Sequence, residues 1–224
     1  MQTYDPAAYE RPSVTVDLLI FTIHDGRLQV LTVRRAQPPF AGFWALPGSF
    51  VGIDEALEDT VRRCLQEKIG LQDIFFEQLY TWGAVQRDPR MRVLSVSYMA
   101  LVPWERLAPQ AGARVEALQW FSAETLPQMA FDHAAMVACG VERLRGKTEY
   151  TTLAFQLMPV YFTLPELQQV YEILLGRPLY KANFRKKIQP FVQATNEMAR
   201  GGNHRPSRLY TFCDPYEKSR HPDG

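Results

Sequence analysis

Two β-rich segments at the start of the chain are separated by a turn sequence. They run from Val14 to Ile23 and from Leu28 to Arg34, with His24-Asp25-Gly26-Arg27 between them. An Asp-Gly step between two such segments is a strong signal for a tight hairpin turn. The pattern therefore predicts that the chain opens with a β-hairpin.

A strand-like stretch from Phe43 to Val51 precedes the first predicted helix. The apolar residues of that helix recur at intervals of four and form one stripe: Leu57, Val61, Leu65 and Ile69. Asp54 is the predicted N-cap, and Gly70 is expected to end the helix. Arg63 is expected to pair with Asp59 one turn earlier.

Further strands and one long helix complete the predicted N-terminal domain. The strands are predicted at Phe75 to Ala84, Val93 to Val102 and Val115 to Phe121, and the helix at Asp132 to Arg145. Helices placed between and after the strands predict an α/β domain with a mixed sheet. Because the periodicity stops at Gly146-Lys147-Thr148-Glu149, we divide the chain into residues 1–148 and 149–224.

The C-terminal part begins with a capped helix. Thr163 is its predicted N-cap, Glu166 completes a capping box, and the helical pattern extends to Leu175. A shorter helix is predicted from Lys181 to Phe191, and a glycine turn then leads to a strand from Arg208 to Phe212. Two helices and a strand therefore form the predicted second domain.

The composition is typical of a globular protein inside the cell. The 224 residues, of which 46% are hydrophobic and 22% charged, are compatible with two domains. No segment approaches the roughly 18 apolar residues that span a bilayer, and Met1 to Pro12 lacks the apolar centre of a signal peptide. The three cysteines form no CxxC pair, as expected for reduced thiols. We therefore expect a cytoplasmic protein with no membrane association.

The net charge of +1 conceals two parts of opposite sign. Residues 1–150 contain 15 Lys and Arg against 18 Asp and Glu, whereas residues 151–224 contain 10 against 6. Between Arg177 and Arg208, eight basic residues are accompanied by Glu197 alone. Such a basic face is typical of a protein that binds a polyanion. A solvated charged surface is the alternative interpretation.

The segment from Leu46 to Glu55, followed by Arg63 to Leu71, resembles the Nudix box, a loop–helix–loop motif. The family pattern is Gly, five residues, Glu, seven residues, then Arg-Glu-apolar-any-Glu-Glu-any-Gly-apolar. With Ser49 at the Gly position, the residues in register are Glu55, Arg63, Leu65, Glu67, Gly70 and Leu71. The resemblance covers roughly Val14 to Arg145 and implies the Nudix fold, an α/β/α sandwich with a mixed sheet.

Two of the three clustered glutamate positions of the box hold other residues. The resemblance implies that these glutamates hold Mg²⁺ against a diphosphate and help to activate water, but Cys64 and Lys68 replace the first and third. A lysine brings positive charge to the cation position, and a thiol is a poor ligand for a hard ion. We therefore expect no catalytic residues, no metal and no cofactor. A displaced metal site that uses Glu67 with Glu58 or with loop carboxylates is the alternative.

Arginines and aromatic residues near the box predict a nucleotide pocket. Arginine offers a fork of donors to phosphates, and aromatic rings stack on a base. The candidate ligand-binding residues are Arg34, Arg35, Phe43, Trp44, Glu67, Arg87, Asp88 and Arg90. For Trp44, a place in the hydrophobic core is equally compatible with the sequence.

The two C-terminal helices match the helix-turn-helix arrangement, in which the second helix enters the major groove of DNA. Asn can read adenine, and Arg can read guanine or hold a phosphate. The candidate DNA-binding residues on the helix and the predicted wing are Lys181, Asn183, Arg185, Lys186, Lys187, His204, Arg205 and Arg208. Phe184, Ile188 and Phe191 are expected to pack inward.

The two domains together resemble NrtR, the Nudix-related transcriptional regulators. The resemblance is carried by the altered box, the Arg87-Asp88-Pro89-Arg90 loop, the Phe162 to Leu167 helix start, the Lys181 to Arg185 segment and the Leu209-Tyr210 strand. It implies a C-terminal winged helix and a homodimeric repressor of NAD-biosynthesis or NAD-salvage genes, released from double-stranded operator DNA by ADP-ribose or a related nucleotide. The alternative is a Nudix hydrolase acting on ADP-ribose or another nucleoside diphosphate derivative, and Cys64 and Lys68 weigh against it.

Overall fold

The computed structural model of the protein describes residues 5, 9–70, 72–107, 118–199 and 207–215. The strands are β1 (Ser13–His24), β2 (Arg27–Arg34), β3 (Trp44–Ala45), β4 (Gly48–Phe50), β5 (Phe75–Trp82), β6 (Val93–Leu101), β7 (Leu118–Ser122), β8 (Val192–Met198) and β9 (Arg208–Phe212). The α-helices are α1 (Leu57–Ile69), α2 (Trp104–Leu107), α3 (His133–Tyr150), α4 (Leu164–Leu175) and α5 (Lys181–Ile188). Short 3₁₀ helices cover Leu153–Leu157 and Gln189–Phe191.

The predicted hairpin is confirmed, because β1 and β2 pair in antiparallel fashion around a two-residue turn. Asp25 and Gly26 in this turn have φ angles of 49° and 70°. Positive φ at both central residues is the requirement of a type I′ turn, which Asp-Gly meets at low cost. The turn sequence therefore sets the register of the first two strands.

β1 is the central strand of a large mixed sheet. The strand order is β3-β2-β1-β6-β5, with β4 also paired to β1 and β7 to β2. β1 and β6 run parallel, whereas the other pairs are antiparallel. The predicted mixed sheet is therefore confirmed.

Helices cover both faces of this sheet. Leu19 and Phe21 on one face of β1 belong to the same buried cluster as Met136 of α3. Leu18 on the opposite face belongs to a second cluster with Leu65 of α1. Side chains alternate along a strand, so a strand that is buried on both faces has a continuous run of hydrophobic residues, as β1 does. The result is the α/β/α sandwich of the Nudix fold.

The third helix is longer than the sequence predicted. It continues beyond Arg145 to Tyr150, so the expected interruption of structure at residues 146–149 is wrong. Thr148 in the added turn is buried, and burial of that side chain favours continued helix. Near its middle, α3 lies so close to β1 that a Cβ on Gly140 would be 2.6 Å from a methyl group of Leu19. The division proposed after residue 148 thus lies in the last turn of α3.

The start of the first helix also differs from the prediction. The N-cap is Ala56, without a side-chain cap, rather than Asp54. The Glu55 carboxylate accepts hydrogen bonds from the Gly52 amide at 3.1 Å and from Arg63 of the helix. These bonds hold residues 52–55 in a loop, so the helix begins later. Gly70 ends the helix with φ 65°, as expected.

The C-terminal domain contains the two predicted helices and a two-stranded sheet. The capping box of Thr163 and Glu166 is confirmed at the start of α4. The next helix, α5, ends at Ile188 rather than Phe191, because Pro190 follows in a 3₁₀ turn. β8 was not predicted, and it pairs with the predicted β9. In the part of the chain that the structure describes, no helix is long and apolar enough to cross a membrane.

Candidate functional site

A cavity of about 180 Å³ opens where β1, β4 and the loop between β5 and β6 meet the start of α3. The predicted ligand-binding residues that line this cavity are Arg35, Arg87, Asp88 and Arg90. The further lining residues that carry polar or aromatic side chains are Thr15, Asp17, Ser49, Phe50, Phe131 and His133. The fold therefore gathers half of the predicted ligand residues around one opening.

Arg87 is the most buried cation of the cavity. Its side chain is 4% exposed and lies 3.8 Å from an Asp17 carboxylate oxygen. The guanidinium donates to both carboxylate oxygens of Asp132, at 2.9 and 2.6 Å. Since bidentate pairing fixes both groups, Arg87 positions the residue that immediately precedes α3.

The charged loop is braced by its own side chains. Arg90 donates to Asp88 through the guanidinium at 2.7 and 3.0 Å and through the backbone amide at 3.0 Å. The Asp88 side chain is 4% exposed, whereas that of Arg90 is 40% exposed. These bonds lower the pKa of Asp88, so that this carboxylate remains ionised beside the cavity. Arg90 therefore keeps an accessible positive charge at the rim.

An aromatic ring separates two arginines of the cavity. The Phe131 ring centroid lies 4.8 Å from the guanidinium carbon of Arg35 and 5.9 Å from that of Arg90. These distances are within the range of cation–π contacts. Burial and the nearby Arg90 charge lower the pKa of Arg35. The cavity therefore sets three arginine side chains and the carboxylates of Asp17 and Asp88 beside an aromatic ring. Guanidinium and aromatic groups together suit an anionic ligand with a flat ring.

A histidine and a carboxylate form the inner wall. His133 accepts the Leu46 amide through Nδ1 at 2.8 Å, and its Nε2 lies 3.7 Å from a carboxylate oxygen of Asp17. Burial lowers the pKa of His133, which favours the neutral ring with its proton on Nε2. Ser95 donates to the other Asp17 oxygen at 2.5 Å. Neither Asp17 nor His133 is predicted from the sequence, although Asp17 is a lone carboxylate within an apolar strand.

The remaining predicted ligand residues do not line this cavity. Arg34 donates to the Gly42 carbonyl at 3.3 Å, and Phe43 packs against Phe40. Trp44 meets Phe121 edge to face, with 5.0 Å between the ring centroids. Glu67 lies on α1, where its side chain is 52% exposed and 3.7 Å from Arg63.

Arg63 links the two ends of the Nudix-like loop and helix. It donates to both carboxylate oxygens of Glu55, at 2.8 and 2.9 Å, and to the Ser49 hydroxyl at 3.2 Å. This pairing lowers the pKa of Glu55 to about 2. The expected partner, Asp59, is instead bound by Arg62 at 2.9 Å. Asp59 meets Arg62 because side chains three residues apart on a helix can meet as readily as those four apart. Arg63 is not available to Asp59 because it is already bound to Glu55.

The residues present at the carboxylate positions of the box do not fit a Mg²⁺ site. Cys64 is fully buried in the core under α1, and burial raises the pKa of its thiol. Lys68 replaces the third carboxylate. Glu58, proposed as a substitute ligand, accepts the Tyr98 hydroxyl at 3.0 Å. Within the described residues, no three His, Cys, Asp or Glu side chains are grouped to hold a metal ion.

The basic second helix of the C-terminal domain is anchored by its apolar residues. Phe184 and Ile188 are buried, which confirms the inward packing expected of them, and Phe191 packs partly buried against the same core. The predicted DNA-binding residues that are exposed on α5 are Lys181, Asn183, Arg185, Lys186 and Lys187. Lys187 differs from the others, because its ammonium donates to the Glu149 carbonyl at 2.8 Å.

A small sheet follows this helix at the position of a wing. β8 and β9 are antiparallel, and Phe162 bonds to Tyr210 in both directions at 3.0 and 2.8 Å. Arg208 is exposed at the start of β9. His204 and Arg205, the other predicted wing contacts, lie outside the described residues.

The third helix joins the cavity to the second domain. Asp132 is the residue before this helix and His133 is its first residue. Glu149 in its last turn contacts Lys187 of α5. One continuous buried cluster includes Leu144 of α3 and Leu167 of α4. The two domains therefore share a core, and an 18-residue helix spans between their candidate sites.

Comparison with known proteins supports both domains. The NUDIX domain family matches residues 13–138, and the NrtR DNA-binding winged helix domain matches residues 154–212. The ADPR responsive transcriptional repressor NtrR of Acinetobacter baylyi is 37% identical over 94% of this chain and 86% of its own length.

Solved structures give the same result. Shewanella oneidensis NrtR complexed with a 27mer DNA superposes with a TM-score of 0.82 at 38% identity, covering 92% of this chain and 95% of the other. The NUDIX domain of that protein complexed with ADP ribose has a TM-score of 0.53 at 40% identity, covering 63% of this chain and 94% of the other. A Nudix domain that carries a winged helix defines a regulator with a nucleotide-type pocket and a DNA-binding domain. The chain belongs to the NrtR family of Nudix-related transcriptional regulators.

Proposed function

We propose that this protein is a transcriptional repressor that binds double-stranded operator DNA through its winged helix and releases it when ADP-ribose or a related nucleotide occupies the Nudix cavity. The exposed cations of α5 supply the charge for DNA. Arg35, Phe131 and Arg90 supply cationic and aromatic groups for a nucleotide. Similarity to a repressor described as ADPR responsive agrees with both assignments.

The observation that carries this proposal is the path of α3. Its first turn is fixed by the bidentate bond between Asp132 and Arg87 in the cavity. Its last turn contacts α5, the proposed recognition helix, through Glu149 and Lys187. An 18-residue helix is about 27 Å long, so a displacement at the cavity is delivered to the DNA-binding domain. A ligand shifts the equilibrium because it binds the two arrangements with different affinity.

The cavity is too small to enclose a whole dinucleotide-sized ligand. Its volume of about 180 Å³ is below the roughly 300–1,000 Å³ of typical small-molecule sites. The phosphates would therefore meet Arg35 and, at the rim, Arg90, while the rest of the ligand extends beyond the opening. Phe50, which is 43% exposed at this rim, offers an apolar surface there.

We further propose that the Nudix domain does not hydrolyse its ligand. The position of the first clustered glutamate is a buried cysteine, and Lys68 places a cation where the metal would bind. The alternative, a Nudix hydrolase, requires turnover of ADP-ribose with Mg²⁺ at ordinary enzyme rates of about 10 s⁻¹. Measuring release of AMP over hours decides between the two, because a repressor of this kind leaves ADP-ribose intact.

Assembly, gene targets and location belong to the same proposal. A homodimer would place two recognition helices on half-sites about 34–36 Å apart, one turn of DNA. The genes controlled would serve NAD biosynthesis or salvage, and the protein would act in the cytoplasm.

A gel-shift assay with DNA from upstream of the protein's own operon tests the proposed repressor function: we expect a retarded complex that ADP-ribose dissociates. Absence of retardation at low salt would reject the repressor function.

A further inference from the structure

A cleft of about 500 Å³ lies between the end of α3 and the start of α5. We call it the α3–α5 cleft, and its polar and charged lining residues are Glu149, Tyr171, Arg177, Tyr180, Asn183 and Lys187. Two of these residues are cations, and a third, Tyr180, is 85% exposed directly before the recognition helix. The cleft is thus continuous with the predicted DNA-binding face.

Both cations of the cleft are held by one residue of α3. An Arg177 nitrogen lies 3.5 Å from a carboxylate oxygen of Glu149, and the two side chains are 60% and 59% exposed. The Lys187 ammonium donates to the Glu149 backbone carbonyl at 2.8 Å and lies 5.6 Å from the Tyr171 ring centroid. The Glu149 carboxylate therefore occupies the position in which an external anion would meet Arg177.

Two side chains of α4 form hydrogen bonds with the turn that carries Arg177. The Glu172 carboxylate accepts the Leu179 amide at 2.8 Å and the Gln168 side chain at 2.9 Å. Gln168 also donates to the Leu179 carbonyl at 2.9 Å. Both side chains therefore brace Leu179, two residues after Arg177.

We propose that one backbone phosphate of duplex DNA enters the α3–α5 cleft and displaces the Glu149 carboxylate from Arg177. This inference rests on the proposed DNA-binding function and adds a contact outside the recognition helix. A backbone phosphate presents two oxygens that share one negative charge, and these fit the guanidinium fork of Arg177. The exposed Glu149 carboxylate holds that fork only weakly. Glu149 thus competes with DNA for Arg177 and lowers the affinity of the free repressor.

The test compares charge variants on a labelled duplex of unrelated sequence, with binding followed by fluorescence anisotropy at several salt concentrations. Glu149→Gln is expected to tighten binding by about threefold, the effect of removing a negative charge roughly 6 Å from a phosphate in water. Glu142→Gln is the matched control, because it makes the same charge change at an exposed position of α3. It should change the affinity by much less.

Arg177→Gln completes the test. It should weaken binding and reduce the slope of log K against log salt by about 0.9, the value for one phosphate. In the Arg177→Gln background, Glu149→Gln should no longer differ from Glu142→Gln. Equal effects of the two glutamate variants in the wild-type background, or an unchanged slope for Arg177→Gln, would overturn the inference. If the wild-type protein binds no duplex, it is the proposed function that fails.

Discussion

Asp132 is bound through both carboxylate oxygens by Arg87, a lining residue of the Nudix cavity, at 2.9 and 2.6 Å. Asp132 is the residue directly before α3, and Arg87 belongs to the loop between β5 and β6. The pair therefore connects the candidate ligand site to the helix that reaches the winged domain. It makes Arg87 a positioning residue as well as a lining residue of the cavity.

Arg87→Ala is expected to destabilise the protein. Its side chain is 4% exposed and that of Asp132 is 23% exposed, so removing Arg87 leaves a partly buried carboxylate uncompensated, at a cost of at most about 3–5 kcal/mol. Urea denaturation measures the change in the free energy of unfolding. Arg92→Ala is the control, because Arg92 bonds to the exposed Gly83 and Ala84 carbonyls. It should cost about 1 kcal/mol or less, and equal losses for the two variants would contradict the assignment.

Arg90→Ala tests the ligand site, and the free energy of unfolding is measured alongside because the variant also leaves the buried Asp88 carboxylate without its guanidinium partner. The Arg90 side chain is 40% exposed and faces the cavity beside Phe131. Loss of a charge-assisted hydrogen bond to a phosphate should weaken ADP-ribose by about 1.5–3 kcal/mol, or roughly 10–150-fold. Isothermal titration calorimetry measures this affinity, and DNA binding without ligand should persist. Unaltered ADP-ribose binding would place the ligand elsewhere, and Arg34→Ala, outside the cavity, provides the comparison.

The exposed face of α5 is expected to divide into base and phosphate contacts. Asn183→Ala and Arg185→Ala should weaken operator binding by roughly 1–3 kcal/mol if each makes a bidentate base contact. Lys186→Ala should weaken operator and unrelated DNA alike and lower the salt slope by about 0.9. Lys68→Ala in the Nudix domain serves as the charge-matched control. Full DNA affinity after neutralising Lys181, Arg185 and Lys186 together would refute this orientation of the helix.

His133 should make the stability depend on pH. Burial lowers its pKa in the folded state, against an opposing effect of Asp17, so below about pH 6.5 the unfolded chain binds a proton that the folded chain does not. The free energy of unfolding should therefore fall as the pH decreases from 7.5 to 5, by at most about 1.4 kcal/mol per pH unit. In His133→Asn, whose amide oxygen can still accept the Leu46 amide, this component should disappear. An identical pH profile in the variant would contradict it.

The sequence predicts local features better than the assembled site. The Asp25-Gly26 turn and the Thr163 capping box were predicted because each depends on neighbouring residues. The site, in contrast, brings Asp17 together with Phe131 and His133, which lie more than a hundred residues away along the chain. Nothing in local periodicity indicates such a contact.

Tertiary contacts also explain the boundaries that were misjudged. Gly146 precedes the last turn of α3 and favours termination, yet Lys147 pairs with Glu77 of β5 and Thr148 is buried. For Trp44, the sequence left open a packing role or a place in the ligand pocket. Its ring packs on Phe121 and does not line the cavity. Contacts between distant segments decided both cases, and such contacts are a property of the whole fold.

Coupling between the cavity and the DNA-binding surface is the central claim, and the affinity of ADP-ribose for free and operator-bound protein tests it most directly. If ADP-ribose releases the operator, reciprocity requires the operator to weaken ADP-ribose by the same factor. Calorimetric titration of both forms should give a ratio of roughly 5–150, the range of couplings of about 1–3 kcal/mol. Equal affinities for the two forms would contradict the account.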